Sequence, residues 1–393
     1  MKILLYTDLA IRPDQLFWHR DLGLLTKTFR ELGHDAYLVV HPATEPPPLP
    51  TFVPSHVPTS AASNINHPTS KILDEPVLWA SPSQVRDKEW WKDHHPDLLI
   101  LGLWTRPKYD PIRRAALSAT PHVIERADSD GMRTASCGFF TYAKRRFDYF
   151  RDRTYRWPSL LSIPASIFYS FASILATPWI EFRLRKTLKL LPSILVETPH
   201  ATNLWKSLAG RLGVDPEKIH CVPHPIQTDI FKFDPAIQKK NRIISVGRWD
   251  SYQKNLPLLL KNLRVFLDKN PTWTSLVVGS GLPTKSPHPR ITFLPSLPPP
   301  DLARYMQESK IFLSTSRYES FGLASAEASA CGCAVLGPSK ILTLADASFS
   351  ANPTSFEKLS FYPIEICNQI LALPLNLGLR PYGLSARISL EKY

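Results

Sequence analysis

Glycine is scarce in this chain, with 15 residues against 38 prolines. Many of its loops are therefore stiff rather than floppy. Cysteine is scarce too: Cys137, Cys221, Cys331, Cys333 and Cys367 are odd in number, widely spread, and never spaced as C-x-x-C. That argues against a disulfide framework or a zinc site and for reduced thiols in a cytoplasmic protein. Cys331-x-Cys333 straddles a helix end and reads as packing. The opening MKILLYTDLA has one lysine and too short an apolar run for a signal peptide, so it reads as a first strand. No nucleic-acid recognition motif is present. A P-loop also fails: Gly279-x4-Thr284-Lys285-Ser286 lacks the glycine before the lysine, and Pro283 removes an amide that a phosphate cradle needs.

What is present fits a chain of two or three domains, 393 residues with 44% hydrophobic content. Lysine and arginine total 47 against 34 acidic residues, a net charge of +13. Such a surface favours anionic partners, whether nucleotides, nucleic acid or acidic lipid, although a plain soluble basic surface has the same balance.

The most informative stretch is Ile311 to Gly337, IFLSTSRYESFGLASAEASACGCAVLG. Its first residues suit a buried parallel strand. A polar turn, Ser316 to Ser320, follows, and Phe321-Gly322 opens an Ala-rich helix that stops at Gly332. Cys333 to Leu336 reads as the next strand. Glu319 lies in the turn and Glu327 in the helix. Between them the amides of Gly322 and Leu323 have no intrahelical partner, and the helix dipole is positive there. A phosphate suits those amides, and the flanking carboxylates can accept hydrogen bonds from sugar hydroxyls. The unit reads as a nucleotide-sugar cradle.

The Glu-x7-Glu pattern from Glu319 to Glu327, with Ser314, Phe321-Gly322 and the small-residue helix around it, resembles the signature of family-4 retaining glycosyltransferases. The resemblance implies an α/β GT-B fold: two Rossmann-like, doubly wound parallel-sheet domains facing across a cleft. Arg242 to Asn255, RIISVGRWDSYQKN, resembles the same family's Val-Gly-Arg…Lys-Asn motif. Arg248 and Lys254 can neutralise a diphosphate as it leaves. The resemblance further implies donor binding by Gly247, Arg248, Lys254, Gly279, Gly281, Glu319, Ser320, Phe321, Gly322, Leu323 and Glu327. Among these, Glu319, Arg248 and Lys254 take catalytic roles. Glu327 would hold the ribose and Glu319 would orient the sugar. No cofactor or metal is expected, since protein cations and the helix start supply the positive charge.

The order of elements gives domains at 1–225 and 242–393 with a linker at 226–241. Strands are expected at 2–7, 36–40, 97–102, 122–125, 193–197 and 218–222, with a helix over 16–32. The family's glycine pair in the first strand–helix loop is missing from Asp8 to Asp14. His224-Pro225 replaces an Asn-Gly pair in the loop from Pro223 to Asp229. Residues 42–70 read as loop, and His94-His95 as surface. Asp128-x-Asp130 leaves a strand's C-terminal end, either as a turn facing the acceptor or as an Asx-turn without chemistry. Beyond Gly337 the resemblance weakens.

Residues 157–180 carry no charge, with Lys144-Arg-Arg before them and Arg183-Leu-Arg-Lys186 after. Prolines 158, 164 and 178 and the strands on both sides exclude a span. A buried helical pair or a surface dipping into an anionic headgroup region remains, and the terminal Trp157 and Trp179 favour the second. The expected function is transfer of a sugar from a nucleotide sugar to a glycan, lipid-linked or small-molecule hydroxyl. Its expected setting is cell-envelope polysaccharide synthesis at the inner face of a membrane, with no nucleic-acid partner. A sugar-nucleotide epimerase and a degenerate nucleotide-sugar-binding protein are the alternatives.

Overall fold

The computed structural model describes residues 1–11, 21–42, 76–129, 131–132, 137–155, 157–337 and 363–373. The loop expected at 42–70 lies outside these apart from Pro42, and Asp130 lies outside them too.

Two parallel sheets divide the molecule. The first has seven strands: β1 (Lys2–Ile11), β2 (Asp35–Pro42), β3 (Val77–Trp79), β4 (Leu98–Gly102), β5 (Val123–Arg126), β6 (Ser193–Val196) and β7 (Ile219–Cys221). Their order is β3-β2-β1-β4-β5-β6-β7. The second has five: β8 (Lys240–Arg248), β9 (Thr274–Ser280), β10 (Ile291–Leu294), β11 (Ser309–Leu313) and β12 (Ala334–Leu336), in the order β10-β9-β8-β11-β12. Both orders reverse direction once, between β1 and β4 and between β8 and β11. Ligands of open α/β sheets bind outside the carboxyl ends of the strands at such points.

The helices of the first half are α1 (Asp21–Glu31), α2 (Lys88–Asp93), α3 (Asp110–Ala119), α4 (Phe139–Arg153), α5 (Ser159–Leu175), α6 (Thr177–Leu190) and α7 (Pro199–Arg211). Those of the second are α8 (Leu256–Lys269), α9 (Pro299–Gln307) and α10 (Leu323–Ala330), and α11 (Pro363–Leu371) comes last. Helix α7 opens at Pro199. Thr198 caps it, its hydroxyl accepting from the Ala201 amide at 3.1 Å, and Pro199 fits the first turn.

Side chains alternate across each sheet, so each strand feeds two cores. Ile243 and Val277 pack with Leu259, Leu263 and Leu267 of α8, whereas Ile244, Val278 and Phe312 pack with Leu302 and Met306 of α9. In the first sheet Ile3, Leu5 and Ile100 meet Leu22, Leu25 and Phe29 of α1. Ile366, Cys367 and Ile370 of α11 complete that core. Position in sequence would place α11 with the second sheet, but its apolar face lies on the first.

A charged knot lies under the first sheet. Arg113 and Glu125 are both fully buried, joined from Nε to Oε2 at 2.6 Å and from Nη2 to Oε1 at 2.7 Å. Arg113 also donates to Asp110 at 2.8 Å, and Thr187 of α6 donates to the same carboxylate at 2.9 Å. Buried charges persist only when paired in this way. The knot fixes α3 and α6 to β5.

The uncharged segment forms α5 and the start of α6, and it is not a buried pair. Leu160, Leu161, Phe168, Phe171 and Leu175 are each more than 60% exposed. No single helix among the described residues is long and apolar enough to cross a membrane. Only α5 and α6 together could, bent by 62°.

Candidate active site

The second sheet builds its part of the site from two loops at its switch point. Strand β8 runs out at Gly247-Arg248, in register with Gly279-Ser280 of β9. Here Gly279 has no substitute: its φ is +135°, and a Cβ would stand 1.9 Å from the Gly247 carbonyl oxygen. At Gly281 a Cβ would meet the Asp250 backbone nitrogen at 2.6 Å. These close approaches bring the ends of β8 and β9 together. Arg248 projects exposed from this edge and makes no ion pair among the described residues.

Lys254 lies beyond the turn that follows β8, and Glu319 lies in the turn after β11. The structure brings them together, with Lys254 Nζ 2.5 Å from Glu319 Oε1. Gln253 Nε2 donates to the other carboxylate oxygen at 3.1 Å and to the Tyr318 carbonyl at 2.8 Å. Both members of the pair are mostly shielded from water, with side chains 18% and 14% exposed. Lys254 is therefore not a free cation in this state, and Glu319 is held in a fixed orientation. Gly322 adopts the left-handed conformation that starts α10, with φ 85° and ψ 54°, and no side chain caps the first turn from Leu323. Glu327 sits a turn further on and is 1% exposed, among the helix's buried residues Ser325, Ala326 and Ala328.

The first sheet presents a different chemistry. At the ends of β5, β6 and β7 stand Arg126, Asp128, Glu197 and His224, joined by Asp21 at the start of α1. His224 is 4% exposed, with Nδ1 3.2 Å from Asp21 and Nε2 3.6 Å from Glu197 and 3.8 Å from Asp128. Arg126 Nε lies 3.1 Å from Asp21, and its Nη2 donates to the Pro223 carbonyl at 2.7 Å. Burial and the nearby Arg126 work against a charged His224. Asp21 and Asp128 outweigh them, and its pKa is pushed up to about 9. Burial pushes Glu197 up to about 7 despite His224 beside it. Asp128 is held well below the usual carboxylate range: its partial burial opposes this, but hydrogen bonds from His224 and Ser320 prevail.

Asp128, Glu197 and His224 each offer an atom within 4.8 Å of the others, a spacing that could admit a metal. To bind one, His224 would have to give up the proton that Asp21 and Asp128 favour, and Arg126 stands 3.1 Å from Asp21 beside it.

The two halves meet at this point. Ser320 donates to Asp128 at 2.6 Å, and the Phe321 ring stands edge-on to His224 with centroids 5.4 Å apart. Ser320 and Phe321, placed by sequence with the donor, thus also touch the opposing domain. Helix α4 makes a second bridge. Asp152 accepts from the Ser251 hydroxyl at 3.0 Å and the Gln253 amide at 3.1 Å, and Arg145 lies 3.9 Å over the Tyr318 ring.

Sequence reasoning missed His224, Glu197, Arg126 and Asp21 as a group. Glu197 and Arg126 carried a signal, since each is a charge at the C-terminal end of an apolar strand. His224 drew notice only as a departure from a loop pattern.

Known proteins bear on both halves. Residues 227–340 match the model of the family described as glycosyl transferases group 1. The D-inositol 3-phosphate glycosyltransferase of Acidothermus cellulolyticus is 25% identical over 165 residues, covering 34% of this chain and 37% of that protein. The chain thus matches little more than a third of this relative's length. Among solved structures, Anabaena HepE in complex with UDP-glucose superposes with a TM-score of 0.52 at 14% identity, over 94% of this chain and 98% of that one. Sucrose-phosphate synthase from Thermosynechococcus elongatus also gives 0.52, at 15% identity, over 94% and 97%. At these identities the likeness establishes the fold, and that fold is GT-B.

Proposed function

We propose that the protein is a glycosyltransferase that moves a sugar from a nucleoside-diphosphate sugar to a hydroxyl acceptor. The observation that carries this reading is the Lys254–Glu319 pair beside the uncapped start of α10, with Arg248 exposed at the end of the neighbouring strand β8. The family match over residues 227–340 supports it. So does the binding of UDP-glucose by a protein of the same fold.

In this reading the bond from the anomeric carbon to the phosphate oxygen breaks as a bond from that carbon to the acceptor oxygen forms; the electron pair leaves with the nucleoside diphosphate, which takes up the acceptor hydroxyl's proton. Arg248 meets that growing negative charge, as Lys254 does on exchanging Glu319 for phosphate. The amides of Gly322 and Leu323 cap a phosphate, and Gly247, Gly279 and Gly281 let the backbone approach it. Glu319, freed from Lys254 and kept by Gln253, orients the sugar. Glu327 takes the ribose once its cover moves, since only 1% of it is exposed. Asp128 faces the acceptor from the first domain, tied to Ser320. Retention of anomeric configuration, independence of metal and a place in family 4 belong to the same proposal. So do a glycan or lipid-linked acceptor and a station at the inner face of a membrane.

Turnover assays separate the readings. With donor alone, the proposal expects slow hydrolysis at most, and with an acceptor panel it expects nucleoside-diphosphate release coupled to glycoside formation in the presence of chelator. Conversion of the donor to its epimer would make the protein an epimerase. Binding without turnover across the panel would make it a binding protein.

A further inference from the structure

Helix α5 is built inside out. Ser162, Ser166, Ser170 and Ser173 recur at helical spacing and are the buried face, between 0% and 8% exposed. They lie on α4 through hydroxyl contacts: Thr154 to Ser166 at 2.8 Å and Arg146 Nε to Ser173 at 2.5 Å. The large apolar residues point the other way. Of 19 large hydrophobic side chains exposed among the described residues, 13 fall between Phe139 and Phe182. A soluble surface helix has the opposite arrangement. Small residues inward and bulky apolar ones outward is the order found where hydrocarbon lies outside, and so large an exposed patch marks an interaction surface.

Charge indicates what covers it. Residues 139–190 hold ten lysines and arginines against three acids, a net +7 of the chain's +13. Four of these cations lie on α6, where Arg183 and Lys186 sit beside Trp179 and Phe182 at 5.2 and 4.3 Å. Between α3 and α6 opens a cavity of about 480 Å³ lined by Lys108, Arg114, Arg183 and Lys186. The one carboxylate in its wall, Asp110, is already taken by Arg113 and Thr187. A second copy of the chain would bring two strongly positive segments together, which disfavours a homodimer through this face.

We infer that the outer face of α5 lies in the surface of an anionic bilayer, with a lipid phosphate in the Lys108–Arg114–Arg183–Lys186 cavity. Trp157 and Trp179 mark the ends of the face at headgroup level. Because α4 carries α5 on one side and contacts Gln253 and Tyr318 on the other, the bilayer lies close to the interdomain junction. This attachment stands whether or not the chain transfers sugar.

Vesicle sedimentation of the full chain tests it. The wild type is expected to bind equimolar phosphatidylcholine–phosphatidylglycerol vesicles, and at least about tenfold more weakly to bind phosphatidylcholine alone. Leu160→Ser/Phe168→Ser/Phe171→Ser should lose binding to both while keeping its melting temperature. R183E/K186E should lose at least about tenfold on anionic vesicles and little on neutral ones. Equal binding of the wild type to both vesicles, or to neither, overturns the proposal. So does a dimer in vesicle-free solution that the triple serine variant dissolves, since it gives the face to a second copy.

Discussion

The two domains treat charge differently where they face each other. The first buries it, in the Arg113–Glu125 knot and around His224. The second buries Glu327 but leaves Arg248 exposed and the Lys254–Glu319 pair, though mostly shielded, within reach of solvent. Buried charges need several fixed partners and respond poorly to a newcomer, whereas a charge at a loop edge can exchange its partner for a ligand. A rigid wall facing a responsive donor edge is the arrangement a two-domain transferase needs.

The largest test of this contrast is Arg113→Ala, which leaves Glu125 buried without its cation. Unfolding in denaturant should show a loss of about 3–5 kcal/mol, with failure to fold as the extreme. A loss under about 1 kcal/mol would mean that the knot behaves like a surface pair. On the other side, Arg248→Ala should leave the melting temperature unchanged and lower kcat by about 100- to 1000-fold, with a smaller change in donor KM. Steady-state kinetics with a saturating acceptor checks this, and a stability loss without a rate loss would reverse the contrast.

His224 sharpens the comparison through pH. Its folded pKa of about 9 lies above the ordinary 6.5. The stability it contributes is therefore complete below about pH 6.5 and disappears as pH rises through about 9. Melting scans should show the wild type losing stability over that window more steeply than His224→Gln. Parallel slopes would remove His224 as the charged centre of the cluster. The smallest effect belongs to Ser320→Ala at the junction. Because the Asp128 side chain is 41% exposed, loss of that hydrogen bond should lower kcat/KM by only about fivefold, or about 1 kcal/mol.

The same contrast explains what could be read before the fold was known. The donor edge is local: Gly247 to Lys254 and Glu319 to Glu327 are two short runs, and the strands around them are plain apolar stretches. Parallel pairing and the switch point then bring Lys254 to Glu319. The His224 cluster draws on Asp21, Arg126, Asp128, Glu197 and His224, which come from four segments spread between positions 21 and 224. No spacing rule links them, and only the strand order does. Helix α5 falls between these cases. Its serine spacing was visible, but only packing against α4 shows that the serines face inward. The placement of α11 was not legible, because its apolar face would suit either sheet.

In the proposed reading the second domain holds a nucleoside diphosphate through Arg248 and Lys254. Thermal-shift titration with UDP-, GDP-, ADP- and CDP-sugars, with and without chelator, tests it most directly. At least one should raise the melting temperature of the wild type irrespective of chelator, and none should do so for Arg248→Ala/Lys254→Ala that melts normally when unliganded. Absence of any shift in the wild type, or an equal shift in the double variant, would contradict it.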